Sequence, residues 1–484
     1  MERLGGMVGS VEQLKASYST QETSHRDVST VAIGICPFAP VCKGRERKFD
    51  SIIFTIPAEP ENQILMKVVL AAKSVYPFHP FGGVQKYVYY FASYLAQTGI
   101  DVEIVAPLDT GRPRTEIFDG LKFTFLRPSI FRYLEYPVGW LGVHLFSWSL
   151  AQYLKKLKFD LLHSFDMTAY QYLKFPKRQP VIAHIFTDNY LCNPISSKEL
   201  GHLLNLTGKR FSEIKKKKLK ISPFSGPALK RQYYLHYLFK VKPMHSSLTR
   251  ADMVFCEEEN SRREVGEIFK LPFEKIDILP VGVGVQLIAQ HLKGSQAGRL
   301  DVQLSEKDIV LLTANRLAAD KGVDKIVLAL AEIIQEFPQV KLIIVGSGYQ
   351  ERELNQLIKD KNLAAHVRHF QNIPEEKLYD LLKISDIYLC AFSYPGSSLS
   401  TLEAMACSLP IVTTAQPWLI KKGENGVFLE ENEPAAIKEA VVSLIKENRL
   451  KPMGNVSFEI VERYDWKSIA QDAIRKYRKI LAKG

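Results

Sequence analysis

Short apolar runs of strand length alternate with helical stretches along most of this chain, and that alternation limits the fold more than any other feature. Candidate strands lie at residues 68–72, 102–106, 161–164, 181–185, 253–256 and 276–279, with helical stretches such as 84–97 and 149–157 between them. A second series follows at 310–314, 341–345, 367–370, 387–390, 411–414 and 426–429. The irregular region 286–307 between the two series reads as a linker. Strands separated by helices predict a parallel sheet covered on both faces. Two such series in 484 residues, too many for one ordinary core, predict an α/β chain of two Rossmann-like doubly wound domains in tandem. Ligands bind such sheets beyond the carboxyl ends of the strands, so two domains facing one another would share a cleft.

The expected division is an extension over 1–65, a first domain over 66–290, a second over 300–460 and a closing helix over 465–484. Residues 1–65 lack sustained periodicity and carry a polar run at 17–30 and a basic one at 43–48. No charged start leads into an apolar core there, which argues against a signal peptide. Met66 opens the first buried-strand pattern. The stretch before it is therefore either a poorly ordered extension, a misassigned start, or a targeting or docking tail. The six cysteines are scattered with no CxxC pair, as expected of a reduced, cytoplasmic chain.

The net charge of +12 favours acidic partners: anionic lipid, nucleic acid or a phosphorylated substrate. No nucleic-acid-binding module is recognisable, so nucleic acid is not expected as a partner. Two stretches bear on membranes. Residues 136–154 carry no formal charge and are followed by Lys155, Lys156 and Lys158. Their length touches that of a membrane span, but Pro137, Gly139, Gly142 and several polar residues favour a buried or interfacial helix. The region 198–240 interrupts the alternation with KKKKLK at 215–220 and the aromatics Tyr233, Tyr234, Tyr237 and Phe239. Such a basic insertion suits peripheral contact with an anionic bilayer at its inner face, or is a solvated insertion packed on the domain.

The chemistry concentrates in the second series. At 393–414, Pro395 and Gly396 mark a turn, Ser397, Ser398 and Ser400 are helix-start residues, and Leu399, Leu402, Ala406 and Leu409 recur at helical spacing. A helix opening from a small-residue loop offers unpaired backbone N–H groups to a phosphate. Glu403, one turn in, is placed to accept hydrogen bonds from hydroxyls of the same ligand. Phosphate plus a vicinal diol describes a nucleotide; the alternative is an ordinary α/β loop with an exposed glutamate. Arg316 and Lys321, five residues apart after a strand, can grip a diphosphate from two sides. Gly346 and Gly348 end the next strand and would let backbone approach a ligand, or simply mark a tight turn. In the first series Gly82 and Gly83 precede a helix and would admit a phosphate or sugar across the cleft. His163 and His184 end predicted strands, with Asp166 and Asp188 close behind, and each is either a substrate contact or a core histidine. No metal cluster at credible ligand spacing and no nucleophile-elbow serine is evident.

From Met66 onward the chain resembles the group 1 glycosyltransferases, retaining enzymes of the GT-B type (family four). The matching motifs run in order: GG at 82–83, ADMVFC at 251–256, ILPVGV at 278–283, NRLAADKGVD at 315–324, LIIVGSG at 342–348 and SDIYLC at 385–390. LEAMACSLPIV at 402–412, ENGVFLE at 424–430 and YDW at 464–466 complete the series. The resemblance implies a nucleoside diphosphate sugar as donor substrate, held mainly by the second domain, and no tightly bound cofactor. Arg316 and Lys321 would hold the diphosphate and serve catalysis, and Glu403 would bind the ribose. The amides around Ser398, Leu399 and Ser400 would help with the phosphates. The acceptor, a carbohydrate or a lipid-linked precursor, would bind the first domain, and the final helix would cross back onto that domain.

Several positions depart from the family pattern. Pro395 stands where the first of two glutamates eight positions apart is usual, and Asn315 where a glycine usually precedes the arginine. The family's first-domain histidine aligns with Phe186, and a shift of two residues would offer His184 as a catalytic group. The nucleotide grip is retained while the sugar-handling half is altered. The chain is thus expected to be a glycosyltransferase with an unusual donor, or a non-catalytic nucleotide-sugar-binding relative acting as a partner subunit.

Overall fold

The computed structural model describes residues 66–79, 82–108, 114–127, 140–186, 237–393 and 397–482. The extension at 1–65, Asp188, Pro395, Gly396 and most of the insertion at 198–240 lie outside these residues.

The first sheet comprises β1 (Lys67–Ala71), β2 (Asp101–Pro107), β3 (Thr115–Phe118), β4 (Leu121–Leu126), β5 (Leu161–Phe165), β6 (Val181–His184), β7 (Met253–Cys256) and β8 (Ile276–Ile278). Their order is β3-β4-β2-β1-β5-β6-β7-β8, parallel except for the edge strand β3. The second sheet comprises β9 (Ile309–Ala314), β10 (Val340–Val345), β11 (Val367–Phe370), β12 (Ile387–Cys390), β13 (Ile411–Thr413) and β14 (Gly426–Phe428). It is wholly parallel in the order β11-β10-β9-β12-β13-β14. All twelve strands expected from the sequence are present, each within a residue of its expected ends.

Why the runs are continuous rather than alternating follows from burial on both faces. In β1, Val68 and Leu70 pack under the helix Gly83–Gln97, while Val69 and Ala71 pack under Phe146, Leu150 and Leu154 of the helix Trp140–Leu154. β9 divides the same way: Val310 and Leu312 on one face, Leu311 on the other. The uncharged stretch 136–154 thus contributes a helix packed on the sheet. Among the described residues, no helix is long and apolar enough to cross a membrane.

Two expectations are corrected. The supposed linker 286–307 contains the helix Val285–Gly294, whose Val285 and Ile288 are buried, and a short turn of 3-10 helix at Arg299–Val302. The hairpin β3–β4 at the edge of the first sheet has no counterpart in the strand reading.

The last helix, Trp466–Leu481, packs on Gly83–Gln97. Trp466 is buried against Tyr87 and Phe91, with ring centroids 5.0 and 6.5 Å away. A Cβ on Gly282 would overlap that indole, so the close crossing of these two segments requires a glycine there.

Candidate active site

Each doubly wound sheet has one crevice where the chain reverses direction across the sheet, and ligands favour it. In the second sheet that crevice lies between β9 and β12. The loop after β9 carries Arg316, Asp320 and Lys321; the segment after β12 carries Phe392, Ser397 and Ser398. Arg316 and Lys321 do converge, and they converge on a carboxylate: Asp320 lies 3.7 Å from Arg316 and 3.4 Å from Lys321. The Lys321 ammonium also sits 3.7 Å over the Phe392 ring, which fixes it on a flat apolar support. Arg316 is more than half exposed and free to swing onto a ligand.

The helix Leu399–Ala406 begins in the same crevice. Ser398 caps it, its Oγ accepting from the Thr401 N–H at 3.3 Å. Ser400 ties the helix to β9: its hydroxyl donates to the Ala314 carbonyl at 2.8 Å and accepts from the Tyr388 hydroxyl at 2.7 Å. Ser400 is therefore a structural link whose side chain is already committed. Gly346 is explained by backbone packing. Its φ is 140°, and a Cβ would overlap the Asn315 carbonyl oxygen, so the glycine lets the loop before Arg316 lie against the end of β10.

Glu403 is not exposed at all. It is buried between the domains, with its Oε1 3.5 Å from the Lys86 ammonium of the first-domain helix. Lys86 also reaches Glu375 at 3.3 Å. Glu375 accepts in addition from the hydroxyls of Tyr90 and Tyr379, both at 2.6 Å. One ammonium thus serves two buried carboxylates, and they are served unequally. Burial raises the Glu403 carboxyl above its usual range, Lys86 opposing and Glu375 adding to the shift. Burial opposes ionisation of Glu375 too, but Lys86 and the two phenols outweigh it and hold that carboxyl low. Burial also works against the Lys86 charge, and the two carboxylates overcome it, leaving its pKa above the usual lysine value. Nothing in the sequence links residues 86, 375 and 403; only the fold brings them together.

On the first-domain side of the cleft, the equivalent crevice lies between β1 and β5. Lys73, just past β1, pairs at 2.8 Å with Asp166, just past β5. Glu257, just past β7, accepts at 2.8 Å from the Ser397 hydroxyl of the other domain. The carboxyl ends of the two sheets therefore face each other. Gly82 precedes the helix, where a Cβ would run into Gln85; a Cβ on Gly83 would meet no described atom within 4 Å.

His184 does not reach this cleft. It is fully buried, its Nδ1 3.0 Å from Nε2 of His163, whose Nδ1 lies 2.5 Å from the Tyr477 hydroxyl. Burial pushes His184 down to about 3 and His163 well below its ordinary value, so both are neutral core residues. Phe186 is likewise buried, stacked on His184 with ring centroids 4.7 Å apart.

Two family models match the chain: "Glycosyltransferase Family 4" over residues 81–287 and "Glycosyl transferases group 1" over 298–455. They cover the two domains in turn. The chain belongs to the group 1 glycosyltransferases. Among curated relatives of this family, the phosphatidylinositol N-acetylglucosaminyltransferase GPI3 subunit of Saccharomyces cerevisiae is 25% identical over 239 residues, 48% of this chain and 52% of that protein. The chain thus spans about half the length of the curated relatives it matches. Sucrose-phosphate synthase from Thermosynechococcus elongatus shares the fold with a TM-score of 0.68 at 18% identity, over 87% of this chain and all of the other. HepE of Anabaena, solved with UDP and glucose, gives a TM-score of 0.59 at 18% identity, over 86% of this chain and all of the other. These likenesses identify the two-domain arrangement as the GT-B fold of glycosyltransferases.

Proposed function

We propose that this glycosyltransferase moves a sugar from a nucleoside diphosphate sugar to a hydroxyl acceptor with retention of configuration, in the cleft between its two domains. The supporting observation is the β9/β12 crevice. Two cations and a capped helix N-terminus meet there, and one turn along that helix stands Glu403, a buried carboxylate short of hydrogen-bond donors. A diphosphate would displace Asp320 from Arg316 and Lys321 and gain both charges, with the amides near Ser398, Leu399 and Ser400 adding N–H donors. Leaving-group charge developing on the diphosphate would be stabilised by those preorganised groups. Glu403 would accept the ribose hydroxyls. No metal or other cofactor is assigned a part in this scheme.

The acceptor would occupy the first-domain crevice at Lys73 and Asp166, and Gly83 would leave room for a donor group across the cleft. The acceptor is a lipid-linked or polysaccharide precursor in this reading, and the phosphatidylinositol glycosyltransferase named among its relatives supports the lipid-linked case. Peripheral contact with an anionic membrane in the cytoplasm fits the exposed Trp148 and Phe239 and the lysines Lys155 and Lys156 that follow the helix Trp140–Leu154. Pro395 in place of the usual glutamate favours a second reading, in which the chain binds the nucleotide sugar as a non-catalytic subunit. Incubating the full chain with UDP-, GDP- and ADP-sugars and quantifying released nucleoside diphosphate separates the two. Turnover that Arg316→Ala abolishes supports the enzyme; binding without turnover of any donor supports the subunit.

A further inference from the structure

The nucleotide-binding reading leaves unexplained why the carboxylate meant for the ribose is paired with a lysine of the opposite domain. We propose that Lys86 is a positioning residue for the donor: held across the cleft, it grips Glu403 by Oε1 and leaves the second carboxylate oxygen for the ribose hydroxyls, so that ribose recognition is complete only while the domains are in contact. This rests on the assignment of Glu403 to the ribose.

The geometry supports a shared, deliberately incomplete arrangement. Lys86 and Tyr90 are four residues apart on Gly83–Gln97, so one face of that helix presents both to the second domain. Glu375 takes the ammonium at 3.3 Å and two phenol hydroxyls at 2.6 Å, three donors for one carboxylate. Glu403 has the ammonium alone, at 3.5 Å, and its Oε2 has no partner among the described residues. An ionised carboxylate accepts up to about four hydrogen bonds, so Glu403 is short of donors where Glu375 is not. A vicinal diol supplies two O–H donors. Among the described residues, Lys86 is the cation paired with Glu403, while Lys321 sits over the Phe392 ring and, in this reading, serves the diphosphate. Without Lys86, two buried carboxylates would face each other with no counter-charge, and one would take up a proton. A protonated Glu403 is a weaker acceptor for the diol.

The test is isothermal titration of the full chain with UDP, GDP and ADP, taking the tightest, then its 2′,3′-dideoxy analogue and inorganic pyrophosphate. Wild type is expected to bind the ribonucleotide at least about tenfold tighter than the dideoxy form. Lys86→Met should lose that preference while binding the dideoxy form and pyrophosphate as wild type does, and Lys86→Arg should restore it. A Lys86→Met chain that weakens all three ligands equally, or that keeps the ribose preference, overturns the proposal. A wild-type chain with no ribose preference overturns the Glu403 assignment instead, so the two failures are distinguishable. Should Lys86→Met not fold, small-angle scattering of wild type decides: the ribonucleotide should contract the chain more than the dideoxy form, and equal contraction counts against Lys86.

Discussion

Acidifying the chain from pH 7 to pH 5 tests whether His184 belongs to the core. In the fold it is fully buried, hydrogen-bonded to His163, and pushed by burial to a pKa of about 3 from an ordinary 6.5. The unfolded chain therefore takes up a proton at this position that the folded chain refuses. The corresponding stability is present in full above the unfolded pKa and is lost as the pH falls from about 6.5 towards about 3. Across that window, His184 alone removes about 2 kcal/mol between pH 7 and pH 5. His163, also lowered by burial, acts in the same direction. Urea denaturation at pH 5, 6 and 7 measures this, with His184→Gln for comparison. Glutamine keeps a polar group facing His163 but does not titrate. The variant should be less stable at pH 7, and below pH 6 its pH slope should be shallower by about one proton, or ~1.4 kcal/mol per pH unit. An unchanged slope refutes the burial argument and restores His184 as a candidate for contact with solvent or substrate.

Arg316→Ala should weaken nucleoside diphosphate binding at least about tenfold yet leave the melting temperature nearly unchanged, since the side chain is mostly exposed and its one ion pair is 3.7 Å long. Gly282→Ala should destabilise the chain by about 1–3 kcal/mol in thermal denaturation, because the added methyl overlaps Trp466. Gly346→Ala combines a φ of 140° with a clash at the Asn315 carbonyl. It should lower both stability and nucleotide affinity, and loss of stability alone would mean that the Arg316 loop is not positioned by this packing.

The parts of the fold legible in the sequence were those whose signal is local. A strand such as β9, buried on both faces, is an unbroken apolar run wherever its neighbours lie in the chain. β3 and β4 escaped because both mix polar residues into short runs, although Asp119-Gly120 between them, both at positive φ, is a recognised hairpin turn. The helix Val285–Gly294 was hidden because it buries only Val285 and Ile288. In the site, Arg316, Lys321 and the capped helix were visible as spacing along one stretch. The Lys86–Glu375–Glu403 cluster was not, since its members lie up to 317 residues apart. The choice for His184 between substrate contact and core is not local either: the end of a parallel strand is also where the last helix, through Tyr477 and His163, seals the core.

The central claim is that the β9/β12 crevice holds a nucleoside diphosphate sugar. Thermal denaturation of the full chain with UDP, GDP, ADP and their common sugar conjugates addresses it most directly. At a hundredfold excess over the dissociation constant, a ligand of the folded state adds about 2.7 kcal/mol, enough to raise the melting temperature visibly. A rise with one nucleotide family, reduced in both Arg316→Ala and Glu403→Ala, is the predicted result. No rise with any of them would contradict the donor-site assignment and, with it, the transfer reaction built upon it.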